Sequence, residues 1–118
     1  MSVLAPKEVC WSPVKNIPRI KIFSPPPGTP VKKVAKAGKD LDFLGMNAFL
    51  FFAQNNHHIP AHWEEEKLFF MEGATAYRGE MVAPCMKKTA GGWDFSHREI
   101  IPEIWDEGHA ALYLEPLQ

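Results

Sequence analysis

Apolar and polar positions fall into short runs that proline and glycine keep interrupting. Arg19-Ile20-Lys21-Ile22-Phe23 alternates polar and apolar, the period of a half-buried strand. Residues 46–53 (Met-Asn-Ala-Phe-Leu-Phe-Phe-Ala) are apolar on both sides and rich in aromatics. That pattern predicts a strand buried on both faces, with a helix over residues 41–52 as the rival. Lys67-Leu68-Phe69-Phe70-Met71 predicts the next strand. The Glu64-Glu65-Glu66 run before it would also suit a helix N-terminus, but Gly73 cuts the segment short. Thr75-Ala76-Tyr77-Arg78 is strand-like again, and the two segments suggest a hairpin around Glu72-Gly73-Ala74. Trp93-Asp94-Phe95 alternates, and residues 99–102 and 110–114 supply the last strands.

Between the runs lie turns. Eleven prolines punctuate the chain, and Pro13, Pro18, Pro25, Pro26, Pro27 and Pro30 all fall near the start. Proline has no backbone donor and ends helices, so this region should be extended segments and turns. Residues 24–30, 36–40 and 54–60 read as loops, and 79–84 and 89–92 as connections. No repeat at solenoid periods is present. Many short strands with Gly and Pro punctuation predict an all-β sandwich or barrel. One domain is expected, with a proline-rich extended segment and first strands over residues 1–45 and a barrel core over 46–118.

Composition narrows this picture. Apolar residues make up 46% and charged residues 23%, which argues against disorder. Thirteen Lys and Arg nearly balance fourteen Asp and Glu, for a net charge of -1. No basic field is available for a phosphate backbone, so nucleic acid is not an expected partner. The lysines among residues 32–39 read as a solvated loop or strand edge. The two cysteines, Cys10 and Cys85, lack metal-ligand spacing, and a reduced, cytoplasmic protein is the simpler reading, with a single bridge left open. The N-terminus lacks the order of a signal peptide, and the longest strongly apolar stretch is too short to span a bilayer, so no membrane partner is expected.

Candidate chemistry concentrates in residues 57–73. His62 stands four residues before Glu66, which opens an apolar run ending at Gly73, and His57 and His58 lie just upstream. Imidazole and carboxylate from a bend and the following strand can converge on one divalent ion. Beside this stand plainer readings. His57 and His58 fit an ordinary loop, Glu64 and Glu65 a solvated surface, and His109 a strand start. Glu66 reaches the surface if the register slips by one. Cys85 has no histidine partner in sequence, which makes it a weak nucleophile candidate.

This order of features resembles the cupin superfamily of small β-barrels over residues 46–114. Glu66 and Gly73 keep the six-residue gap of the first cupin motif, and His62 stands where its second histidine belongs. Pro60 occupies the place of the first. Thr89-Ala90-Gly91-Gly92-Trp93 resembles the turn before a barrel strand, residues 101–114 resemble the closing segment, and Trp11-Ser12-Pro13 resembles the opening of cupins related to acetylacetone-cleaving dioxygenases and anti-sigma sensor domains. The second-motif histidine has no counterpart between Ile101 and Glu103. The resemblance implies a single-domain cupin-type barrel, or jelly roll, that pairs as a homodimer. It implies a divalent metal (iron, manganese, nickel or zinc) held by His62 and Glu66, with His58 and His97 completing the set. The expected activity is dioxygenase, isomerase or decarboxylase chemistry on a small enolisable or aromatic substrate. Glu66 would also act as a base and Arg78 would pair with a substrate carboxylate or enolate. Most of the aromatics would be core. Phe52, Phe70 and Trp93 are candidates to face the lumen, and Tyr77 and Trp105 its mouth. The alternative is a non-catalytic small-ligand-binding or sensor module on the same barrel, and a third reading is a metal-free enzyme with Glu66 as base.

Overall fold

A computed structural model describes residues 17–37, 41–105 and 107–115. Cys10, the segment Trp11-Ser12-Pro13 and residues 38–40 of the expected turn lie outside them. The described strands are β1 (Ile20–Phe23), β2 (Thr29–Pro30), β3 (Asp42–Phe43), β4 (Lys67–Phe69), β5 (Thr75–Tyr77), β6 (Glu80–Thr89), β7 (Gly92–Ile100), β8 (Ile104–Trp105) and β9 (His109–Leu114). Helices α1 (Val31–Ala37) and α2 (Met46–Gln54) lie between them, with single 3-10 turns at Ile17–Arg19, Asn56–His58, Ala61–Glu65 and Met71–Gly73.

Seven strands form one sheet running β1-β9-β4-β6-β5, with β3 added to β9 and β7 to β6; β2 and β8 make a separate pair. Cys85 of β6 is opposite both Phe69 of β4 and Ser96 of β7. A strand has two edges, so β4 and β7 flank β6 on opposite sides. All the pairings are antiparallel except β4 with β9.

Both faces of the sheet are covered. Ile20, Leu68, Phe70, Met86, Ala110 and Leu112 face α2, which supplies Ala48, Phe49 and Phe52. Phe69, Ala83, Cys85 and Ala111 belong to the other cluster, with Val34 of α1, Phe43 and Trp105. Side chains alternate across a strand, so neighbours such as Ala110 and Ala111 feed different cores. Continuous apolar character at Leu68-Phe69-Phe70 is what a segment buried on two sides requires. Removing this surface from water stabilises the fold by about 25 cal/mol per Å².

The chain is β-rich, as its patterning predicts. No pairing among the described residues closes the sheet into the expected barrel, and helices cover it instead. Residues 46–53 are not a strand. They lie in α2, which buries Ala48, Phe49 and Phe52 and exposes Met46, Asn47 and Leu50. Burial at spacings of one, three and four residues is a helical stripe, and the exposed Met46 and Leu50 had made the segment look apolar on every side. Gly45 precedes the helix, where any Cβ would collide with the Glu72 carboxylate. Asn55 ends it, donating its backbone N–H and its side-chain amide to the Phe51 carbonyl at 2.8 and 3.1 Å.

Residues 31–37 form α1 instead of a loop or strand edge; Val34 is buried while Lys32, Lys33 and Lys36 are exposed. The hairpin expected between residues 67–71 and 75–78 is replaced by two strands that each pair with β6. The expected connection at 79–84 and the residues after it are the longest strand, β6.

Candidate functional site

The feature that shapes the site is a proline inside a strand. Pro84 is fully buried in the middle of β6. It has no N–H for the ladder, so regular pairing fails at that point. The register jumps from Ala83 opposite Glu99 to Cys85 opposite Ser96. Pro84 alone on β6 therefore faces two residues, His97 and Arg98, on β7, which makes this a β-bulge.

The bulge changes which way side chains point. Before it, Trp93 and Phe95 pack on the α2 side of the sheet. Beyond it Ile101, an even number of residues farther along, packs on the opposite side. Strict alternation would have kept all three together. The slip turns two consecutive residues, His97 and Arg98, into one cleft of about 460 Å³, lined also by Met46, Gly73 and Thr75. The His97 ring packs edge-on against Phe49, with centroids 5.1 Å apart. Gly73 leaves room for this geometry, because a Cβ there would lie about 3.0 Å from the Pro84 ring.

Arg98 does not stand alone. Its guanidinium carbon lies 4.4 Å from the centre of the Tyr77 ring, and that of Arg78 lies 5.3 Å from the same centre. Arg78 and Gly79 form the two-residue turn of the β5–β6 hairpin, with φ of 52° and 82°. Positive φ at both positions matches the right-handed twist of a tight hairpin, and Arg78 is the one non-glycine among the described residues that adopts it. Each cation–π contact is worth about 0.5–1 kcal/mol at an exposed position. Neither guanidinium makes an ion pair among the described residues. Glu99, next to Arg98, is engaged at 2.6 Å by Lys67, and Lys88 pairs with Glu64 at 3.3 Å. A phenol ring thus carries two uncompensated positive charges beside a cleft that holds an imidazole and a hydroxyl.

The expected metal ligands do not converge. His58 stacks on Phe51 at 5.6 Å and lies 4.2 Å from His57, while His62 is exposed with its ring edge-on to Trp63. Glu66 accepts a hydrogen bond from the Ser24 hydroxyl at 3.1 Å, and His97 lies in the cleft. Among the described residues no group of three or more His, Cys, Asp or Glu side chains is arranged to hold a metal ion. This donor set does not fit the iron, manganese, nickel or zinc that the resemblance implies. The physical reason is local. Residues 56–58 and 61–65 are 3-10 turns, so their imidazoles are carried around tight spirals instead of being aimed inward by strands.

His62 lines a different, smaller groove of about 340 Å³ with Ile17, Ile20, Lys21, Pro60 and Trp63. Phe52, Phe70 and Trp105 are fully buried core residues instead of pocket walls. The indole of Trp105 donates to the His109 carbonyl at 3.0 Å. Trp93 is partly buried against the α2-side core, and Tyr77 is exposed beside Arg98. His109 begins β9, as its sequence position suggested. Burial, reinforced by Glu99, pushes the Cys85 thiol up to about 12, so it is a protonated packing group at neutral pH.

The sequence singles out none of Arg98, Thr75 and Met46, and Gly73 only as the end of the run after Glu66. The available signal was Pro84 between Val82-Ala83 and Cys85-Met86, a proline within an apolar run that otherwise reads as strand. No family model, curated protein or solved structure matches this chain.

Proposed function

We propose that this chain is a small-ligand-binding protein whose ligand is a compact organic anion, a carboxylate or enolate, taken up in the His97–Arg98 cleft. The carrying observation is the bulge opposite Pro84, which turns His97 and Arg98 into one cleft beside two unpaired guanidiniums on Tyr77. An arginine fork matches the two oxygens of a carboxylate or of an enolised dicarbonyl. The Thr75 hydroxyl and the His97 ring add donors, and Met46 offers an apolar surface to the organic part. This reading keeps the role expected for Arg78 and corresponds to a ligand-binding or sensor module. The metal-dependent enzyme reading loses its donor set. That no described helix is long and apolar enough to cross a membrane is compatible with a ligand met in water.

Titration of the full chain with benzoate, acetylacetonate and inorganic phosphate, followed by amide NMR and calorimetry, tests the proposal. Benzoate or acetylacetonate should saturate one site and shift the Thr75, His97 and Arg98 resonances. Arg98→Ala should weaken that binding by about tenfold or more, the worth of a charged hydrogen bond. Pro84→Ala restores a ladder donor and should also weaken binding. Absence of saturation by either organic anion, or full affinity in a folded Arg98→Ala protein, rejects the reading.

A further inference from the structure

On the face of the sheet away from α2 lies a second cavity, of about 260 Å³. Its walls include Val31, Phe43, Met71, Met81 and Ile101, and its one charged lining residue is Lys32. It is separate from the anion cleft. Gly73 and Thr75 line the cleft, whereas Ala74, between the 3-10 turn and β5, lines this pocket. Phe43, Met71 and Ile101 belong to the α1-side core, and Phe49, which supports His97, belongs to the other.

The composition of this pocket specifies its ligand. The walls are aliphatic, aromatic and thioether, and two methionines can reshape to a flexible chain. Met81 is 47% exposed, a large apolar side chain left partly in water at the rim. Lys32 is exposed on α1 and has no ion-pair partner among the described residues. Lys32, Lys33 and Lys36 of the lysine cluster lie exposed on α1, with Val31 and Val34 turned inward and Lys32 beside the cavity. The volume lies just below the range of about 300–1,000 Å³ for drug-sized sites, which limits the occupant to one short chain or ring.

We infer that this pocket binds a single-chain anionic amphiphile of medium length, its apolar tail between Met71 and Met81 and its anionic head at the Lys32 ammonium. Burial of the tail drives binding and the lysine sets the orientation of the head.

The test uses the full chain with methyl-labelled methionine, titrated with octanoate, with octanol as a tail lacking charge and acetate as a head lacking a tail. Octanoate should shift the Met71 and Met81 methyl signals saturably with one equivalent, octanol should bind more weakly, and acetate should leave both signals in place. Lys32→Glu lies on an exposed helix surface and should weaken octanoate by about two- to fivefold without unfolding the chain. Met81→Ser removes rim apolar surface and should weaken it by about tenfold. Arg98→Ala should leave the methionine response unchanged, which separates this site from the anion cleft. Unmoved methionine methyls, an equal response to acetate, or octanoate binding indifferent to both pocket variants would overturn the inference.

Discussion

Two histidine-bearing stretches of this chain end in different circumstances. Residues 57–66 carry three imidazoles and three carboxylates within ten positions, the densest chemistry in the sequence. Their 3-10 turns scatter those groups, onto Phe51, onto Trp63, toward Ser24 and Lys88. Residues 97–98 carry one imidazole and one guanidinium, yet a bulge puts both into the same cleft. Density of functional groups along a segment does not make a site; convergence does. Here convergence comes from a residue with no reactive group, Pro84.

Phe49 joins the cleft to the hydrophobic core. This ring packs against Phe70, Phe95 and His97, and so ties the cleft to the core. Phe49→Ala should cost about 3–5 kcal/mol in denaturant unfolding and weaken anion binding in the residual folded protein. A destabilisation under 1 kcal/mol would mean the cleft and core are not joined in this way.

An effect confined to high pH comes from Cys85 beside the bulge proline. Its folded-state pKa is raised from 9.0 to about 12. The unfolded chain therefore releases this proton first as pH rises. The contribution to stability is complete below about pH 9 and is lost as pH climbs toward 12. The slope approaches about 1.4 kcal/mol per pH unit from this one group. Urea midpoints measured across that window should fall more steeply for the parent chain than for Cys85→Ala. Parallel pH profiles would show that the thiol ionises freely.

Within the 57–66 stretch, His62 should be nearly silent to substitution. His62→Ala, at an exposed ring, should change stability by no more than about 0.5 kcal/mol. It should also leave benzoate affinity as it was, and a marked loss of binding would return the site to the 57–66 stretch.

Much of the sheet was legible in the sequence because period-two alternation survives wherever a strand has distinct faces. Residues 19–23 and 93–95 alternate and lie in or overlap β1 and β7, whereas residues 110–114 lie in β9 and are apolar throughout because that strand feeds both cores. Residues 46–53 misled because a helix exposing Met46 and Leu50 shows no polar stripe over so few positions. β6 is hidden by Pro84, which interrupts the ladder and, with Gly79, makes residues 79–84 read as a connection. Of the site, the sequence itself points to Arg78, Tyr77 and His97. It does not point to Arg98, because an arginine next to a histidine in a regular strand belongs to the opposite face. Only the register slip reverses that, and a slip depends on the partner strand.

The strand β9 has β1 along one flank and β3 and β4 along the other. It is also translated after all three. A growing chain would therefore carry β1, β3 and the β4–β7 portion as three unjoined pieces, each with an unsatisfied edge, until residues 109–114 clear the ribosome. Assembly of the sheet is then a late, long-range closure, slow by the measure of contact order, and a chain terminated before His109 would expose the very edges from which strands recruit one another into aggregates.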